Sequence, residues 1–298
     1  MSTVPNAFGT ALGNSAPFVN WPAVGSPFGT LLRPGGRVAA FVRSTGAQDL
    51  DDLFVRDNLV TSINEGLKRC RSGLNDIVYV LPGHTETHSS SGAIWANLVA
   101  GAQIVSCGRP GASNNGTITL SAAAASVALN VADVSLLGLN IASATASLTA
   151  ALVITGAGCC VAGNRILATG ALGANSFVQV TGAASACLAG NEVIVDSTST
   201  IVNITGAGST NVRVLNNLIR QTQGTSGGVG ITVASTAGIS GFAAGNYIHT
   251  ASALGAGAIG TLITVGASAL PTFGTFENYG SDSAGGSGLI APDASSDA

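Results

Sequence analysis

From about Val131 to Tyr279, short runs of β-branched and small apolar residues alternate with Thr, Gly and Asn breaks, in one phrase that repeats. Its first half reads Val-Ile-Thr-Gly-Ala-Gly at 153–158, Val-Thr-Gly-Ala-Ala at 180–184 and Asn-Ile-Thr-Gly-Ala-Gly at 203–208. The second half reads Ala-Gly-Asn-Arg-Ile at 162–166, Ala-Gly-Asn-Glu-Val at 189–193, Leu-Asn-Asn-Leu-Ile at 215–219 and Ala-Gly-Asn-Tyr-Ile at 244–248. Looser copies occupy 137–141 and 275–279. The anchoring residues are Asn140, Asn164, Asn191, Asn217, Asn246 and Asn278, at steps of 24, 27, 26, 29 and 32 residues.

Two β-branched runs per unit at a period in the twenties predict a solenoid. Helical repeats would be longer and rich in helix formers, whereas these units are rich in Val, Ile, Thr, Gly and Ala. A leucine framework for leucine-rich repeats is absent. The expected fold is therefore all-β: a parallel β-helix in which each repeat is one coil and equivalent residues stack at ~4.8 Å. An Asn at one fixed corner can then form an amide ladder, each side chain donating to one neighbour and accepting from the other. Asn also tolerates the left-handed backbone that a sharp corner needs.

The flanks break this pattern. Residues 1–36 hold five of the nine prolines together with Phe8, Phe18, Trp21 and Phe28, and almost no charge before Arg33. Proline disrupts ladder bonding, so this segment is expected to be an extended arm with aromatic anchors that lies along a partner surface. Over 48–71, acidic residues interleave with Leu50, Leu53, Phe54, Leu59, Ile63 and Leu67. This predicts an amphipathic helical cap N-capped by Asp49, which Asn58 or Ser62 divides in two. Asp76–Thr87 then reads as strand, Pro-Gly turn and strand. The expected organisation is thus an arm at 1–36, a helical cap with its first strands at 37–90, the β-helix at 91–280 and a flexible tail at 281–298.

Composition narrows the function. Charged residues are 8 % and aromatics 5 % of the 298, with 41 glycines; ordinary domains carry roughly 25 % charge. Thin coils packed with small residues account for this, and a surface so poor in charge favours assembly. A net charge of −3 argues against a nucleic-acid partner. Nor does any stretch reach the ~18–20 uninterrupted apolar residues of a membrane span, and the N-terminus does not read as a signal peptide. Cys160 and Cys187 each precede a repeat Asn by four residues, so they should stack in adjacent coils. They are expected to be buried free thiols, a disulfide being the other reading.

A short amphipathic helix, Val-Leu-Pro-Gly-His-Thr-Glu-Thr at 80–87, Gly-Ala-Gln-Ile-Val-Ser-Cys-Gly at 101–108 and the Asn-marked coils together resemble the right-handed parallel β-helix virion proteins of tailed bacteriophages. The resemblance covers roughly 48–280. It implies a right-handed, single-stranded β-helix and a homotrimer. The family includes tailspikes that cut or bind surface polysaccharide. It also includes decoration (cement) proteins that sit on the capsid and lock major capsid proteins together.

The residues favour the second branch. Glycoside cleavage needs two carboxylates ~5–9.5 Å apart, but between Thr87 and Phe276 the acids are Asp133, Glu192 and Asp196. Glu192 and Asp196 would lie ~13 Å apart along one strand, and Glu192 should stack on Arg165 as a cross-strand ion pair. His84, Glu86 and His88 share one strand face and could ligate a divalent metal, but flanking Thr and Ser read as a solvated surface. No cofactor or phosphate loop is expected. The expectation is a non-enzymatic virion protein on the outer capsid surface, with itself and the major capsid protein as partners. Phe8, Phe18, Trp21 and Phe28 would make the capsid contact. The alternative is a tailspike or fibre that binds or degrades host polysaccharide.

Overall fold

The protein is described here by a computed structural model over residues 35–44, 53–108, 111–112, 115–145, 147–168, 173–174, 176–195, 200–222, 230–251, 262–269, 272–282 and 287–290. It is nearly all β and is dominated by three long parallel sheets, as expected of a β-solenoid. Sheet 1 stacks Ile77–Val80, Gln103–Ser106, Ser135–Leu137, Cys160–Ala162, Cys187–Ala189, Val212–Leu215, Gly241–Ala244 and Phe273–Phe276. Sheet 2 stacks Thr85–His88, Thr117–Leu120, Asn140–Ser143, Arg165–Ala168, Glu192–Val195, Leu218–Gln221, Tyr247–Thr250 and Tyr279–Asp282. Sheet 3 begins with Gly92–Ala93 and Ala125–Leu129 and ends with Ile263–Val265. The chain visits sheets 1, 2 and 3 in turn and returns one rung higher.

Register follows from which side chains must face inward. One interior column runs Ile118, Ile141, Ile166, Val193, Ile219, Ile248 across consecutive strands of sheet 2, and all six are buried. Val78, Ile104, Leu136, Val161, Leu188 and Val214 form its counterpart in sheet 1. Each buried Val or Ile contributes about 1.5–3 kcal/mol of transfer free energy. The void beside Leu152, Val161 and Ile166 is about 10 Å³, room for no more than a single water.

The turn from sheet 1 to sheet 2 takes four residues in the first coil (81–84) and ten in the second (107–116), and from the third onward two (138–139, 163–164, 190–191, 216–217, 245–246 and 277–278). The first residue of each two-residue turn carries the left-handed backbone: Gly138, Gly163, Gly190, Asn216, Gly245 and Glu277 all have φ between +50° and +75°. The sequence expectation assigned that conformation to the repeat Asn; it belongs to the residue before it. Glycine takes it most often because it carries no Cβ penalty, which leaves the Asn free to form the ladder.

At the N-terminal end the helical region is two short helices, α1 (Leu53–Asp57) and α2 (Ile63–Leu67). Between them lies a strand, Leu59–Val60, which pairs with Val38–Val42 at the edge of sheet 1. The division into two helices thus falls between Asn58 and Ser62, and the break is itself a strand, so Val60 is a sheet residue. Ser62 caps α2, its Oγ accepting from Glu65 N at 3.2 Å, while Glu65 reaches back to Thr61 N at 3.1 Å. The expected cap residue Asp49 lies outside the described residues. Ile63 and Leu67 pack with Ala40, Val42, Val78 and Val80, closing the first coil.

The far end departs from the expected flexible tail at 281–298. Tyr279–Asp282 completes sheet 2, and Ser287–Leu289 returns antiparallel along it. Ile290 is buried, and its N–H donates to Asn278 O at 2.7 Å. The last strand of sheet 2 would otherwise present unpaired N–H and C=O groups, which the returning strand satisfies. Residues 291–298 lie outside the described residues.

Candidate functional site

The most ordered chemistry lies in the ladder. Asn164, Asn191, Asn217, Asn246 and Asn278 are all buried. Each Nδ2 donates to the next Oδ1: Asn164 to Asn191 at 3.2 Å, Asn191 to Asn217 and Asn217 to Asn246 at 2.9 Å, and Asn246 to Asn278 at 2.8 Å. The same Oδ1 atoms accept the backbone N–H of the preceding Asn, each at 3.0 Å. Each Nδ2 also reaches a carbonyl of the coil below, such as Leu188 O from Asn217 at 3.1 Å. Asn140 is not in this column. It pairs with Arg165, one position past the corner, and buried Leu139 takes the rung instead, its N–H donating to Asn164 Oδ1 at 2.9 Å. Asn140 Oδ1 accepts from Gly111 N at 3.0 Å and Asn115 Nδ2 at 3.4 Å. The looser Leu-Gly-Leu-Asn copy is the phrase shifted by one residue.

His84, Glu86 and His88 form a second cluster, and the solvated surface expected for them is not found. Glu86 pairs with Ile118 and His88 with Leu120, so both point into the first coil, and His84 is fully buried. Glu86 Oε1 lies 2.9 Å from His84 Nε2 and also accepts the Ile63 N–H; Oε2 lies 3.0 Å from His88 Nε2. The carboxylate thereby ties the first strand of sheet 2 to the start of α2. Burial pushes the Glu86 carboxyl up, but the His84, His88 and Ile63 hydrogen bonds outweigh it and hold the group down at about 2. The carboxylate is spent on both imidazoles. Among the described residues, no group of three His, Cys, Asp or Glu is arranged to hold a metal ion.

A second carboxylate clamps the cap. Asp76 is fully buried and accepts from Arg71 Nε at 2.9 Å, Nη2 at 2.8 Å and N at 2.9 Å, and from Arg37 N at 3.2 Å. Burial raises its pKa, but these bonds, led by the Arg71 side chain, override that and hold it at about 2. On sheet 2, Glu192 pairs with Arg165 at 3.0 Å. Asp133 is an exposed corner residue, and Asp196 lies outside the described residues.

Cys160 and Cys187 are paired rungs of sheet 1, and both are free thiols. The Cys187 thiol is lowered to about 7: the Cys160 hydrogen bond pulls it down, burial opposes, and the Arg213 guanidinium on the next rung adds to the lowering. They belong to an apolar cluster on the outer side of sheet 1 with Ile77, Tyr79, Val105, Leu137 and Ala162. Sequence reading missed this face. Its signal was the unbroken apolar run Ile-Val-Tyr-Val-Leu at 77–81, which marks a strand buried on both sides.

Near the last coils, Tyr247 and Tyr279 stack on the outer face of sheet 2 with ring centroids 5.5 Å apart. Tyr247 Oη and His249 Nδ1 both contact Ser281 Oγ, at 3.0 and 2.9 Å. Phe242 and Phe276 meet edge-on across the same corner, on sheet 1. Phe8, Phe18, Trp21 and Phe28 lie outside the described residues. Among the described residues, no helix is long and apolar enough to cross a membrane. Comparison with protein families, with characterised proteins and with solved structures finds no match for the chain.

Proposed function

We propose that this chain is a capsid decoration (cement) protein of a tailed bacteriophage. In this reading it is a homotrimer of right-handed, single-stranded parallel β-helices that binds the outside of the assembled shell through its N-terminal arm. The observation that carries the reading is a charge-poor stack in which Glu86 is engaged by two histidines and α2, and Glu192 by Arg165. Eight parallel strands in sheet 2 give a rod ~34 Å high, preceded by a Pro- and aromatic-rich segment with the length to span seams. The action is cohesive. Arms from three chains bridge neighbouring major capsid proteins, and a ligand that binds only the assembled shell stabilises it by mass action.

Mass in solution tests the trimer, expected at three times 29.1 kDa. Co-sedimentation with assembled shells tests the arm. A full-length Phe8→Ala/Phe18→Ala/Trp21→Ala variant should keep the trimer mass and lose shell binding; undiminished binding would refute the arm's role.

The stacked Tyr247–Tyr279 pair favours a second reading, a tailspike or fibre that holds a host glycan, because paired exposed rings present a flat apolar platform with polar edges. Release of reducing ends or unsaturated sugars from envelope polysaccharide, or glycan binding lost in Tyr247→Ala, would favour it over the capsid reading.

A further inference from the structure

Two neighbouring coils of sheet 1 place one thiol over another. Cys160 and Cys187 are register partners on adjacent parallel strands, so both side chains leave the same, outer face of the sheet. Partners of this kind lie ~4.8 Å apart at Cα, inside the ~4.4–6.8 Å that disulfides span, and their Cβ atoms need to close by only about 0.5 Å to reach bridging distance. The two rungs are pinned by their own ladder bonds, Cys160 N to Val134 O at 2.8 Å and Cys187 N to Cys159 O at 2.9 Å. Cys160 and Cys187 keep 8 % and 6 % of their surface open, whereas Cys159 is at 0 % and turns inward, its Sγ donating to Val131 O at 3.3 Å. The surroundings also set the pair apart from the other thiols. The Cys160 hydrogen bond lowers the Cys187 thiol, burial opposes it, and Arg213 on the next rung adds to the lowering, leaving it at about 7. Burial pushes Cys70 and Cys107 up to about 12 instead.

We propose that Cys160 and Cys187 are a two-electron redox pair that closes to a disulfide between neighbouring coils and reopens to the dithiol. Hydrogen peroxide serves as the oxidant. The Cys187 thiolate attacks one peroxide oxygen, the O–O bond breaks, and the departing hydroxide takes up a proton as water, leaving Cys187 as a sulfenic acid. Cys160, already hydrogen-bonded to that sulfur, attacks it next. The S–S bond forms, the S–O bond breaks, and the Cys160 proton leaves with the hydroxyl as a second water. Two thiols and one peroxide thus give one disulfide and two waters. An external dithiol reverses the change by exchange and is itself oxidised. The bond joins the two ends of one full coil, which restricts the unfolded chain and so stiffens the stack. Reducing compartments favour the dithiol and oxidising ones the staple, so the stack tightens on passing from the first to the second. The inference goes beyond the capsid reading and does not need it.

Full-length protein, purified with reductant and then freed of it, is treated with hydrogen peroxide, denatured in maleimide and read by peptide mass spectrometry. The parent chain should yield peptides joined through Cys160 and Cys187, two hydrogens lighter than their sum, within one chain, while Cys70 and Cys107 are recovered as maleimide adducts. Oxidation at Cys187 should run at least about tenfold ahead of Cys70. Dithiothreitol added to the folded protein should open the link, and the urea midpoint should rise on oxidation and fall back on reduction. In full-length Cys160→Ser the link should be lost, with Cys187 halted as a sulfenic acid that dimedone captures. The proposal is overturned if the folded parent keeps both thiols after prolonged oxidation, or if links form solely between chains. It is equally overturned if Cys160→Ser joins Cys159 to Cys187 as fast as the parent forms its link, if Cys70 is oxidised first, or if dithiothreitol leaves the link closed. Should Cys160→Ser fail to fold, the parent's linked peptides and their reversal decide alone.

Discussion

Replacing Asn217 with Ala removes four ladder bonds at once. Two are donated by its Nδ2, to Leu188 O and Asn246 Oδ1, and two are accepted by its Oδ1, from Asn191 N and Asn191 Nδ2. The partners do not suffer equally. Asn191 Nδ2 keeps Val161 O, and Asn246 Oδ1 keeps the backbone N–H of residue 217. Asn191 N–H is left buried with nothing to donate to, which costs about 1–3 kcal/mol, and each further net bond adds about 1 kcal/mol. The sum is about 4–6 kcal/mol, a large fraction of any domain's stability. Urea unfolding followed by far-UV circular dichroism measures it, with exposed Thr264→Ala on sheet 3 as control. A lower midpoint at unchanged slope is expected, because the folded surface is the same. If Asn217→Ala falls within about 0.5 kcal/mol of the control, the ladder is decoration on a stack held by its apolar columns alone.

Acid should loosen the cap. Glu86 titrates at about 2 when folded against an ordinary 4.5, so its contribution is full above pH 4.5 and is lost as pH falls from 4.5 toward 2. That shift is worth on the order of 3 kcal/mol; Glu86→Gln should flatten the stability profile in this window, and an unchanged profile would refute the role given to Glu86. Gly156→Ala would place a Cβ 2.0 Å from Val131 O of the neighbouring coil. It should lower the midpoint by more than about 2 kcal/mol, whereas tolerance of alanine would mean the coils are not packed at this spacing. Asp76→Asn leaves Arg71 and Arg37 without their buried carboxylate, and hydrogen exchange should rise at Arg71 and Ile77 before the upper coils; uniform exchange along the rod would argue against a separate cap clamp.

The stacked coils were legible because their constraint repeats. A residue that must reappear over itself every turn leaves a phrase in the chain, and Ala-Gly-Asn does so three times. The shift at Asn140 was not legible, since Leu-Gly-Leu-Asn contains the right residue one place late and nothing local says that Leu139 fills the rung. His84, Glu86 and His88 misled for a related reason. Alternation tells which residues share a face, not which face is inside, and a charged inward face holds because both imidazoles and a backbone N–H from α2 satisfy the carboxylate. Likewise, Ser-Gly-rich composition after Tyr279 read as loose chain, although the free edge of the last coil captures Ser287–Leu289. Both misreadings concern the ends of the stack, where a neighbour from outside the repeat replaces the missing coil.

The three corners of the coil do not share the burden of length. From the third coil onward the first is held to two residues in each of six turns, while the connections from sheet 2 to sheet 3 run 144–151, 169–175, 196–199, 222–230 and 251–262. Across those coils the longest insertions thus accumulate along one edge, spaced by the strand repeat like the teeth of a comb. Foreign peptides grafted there would emerge in parallel, a few ångströms apart, at a density that a single surface loop cannot reach.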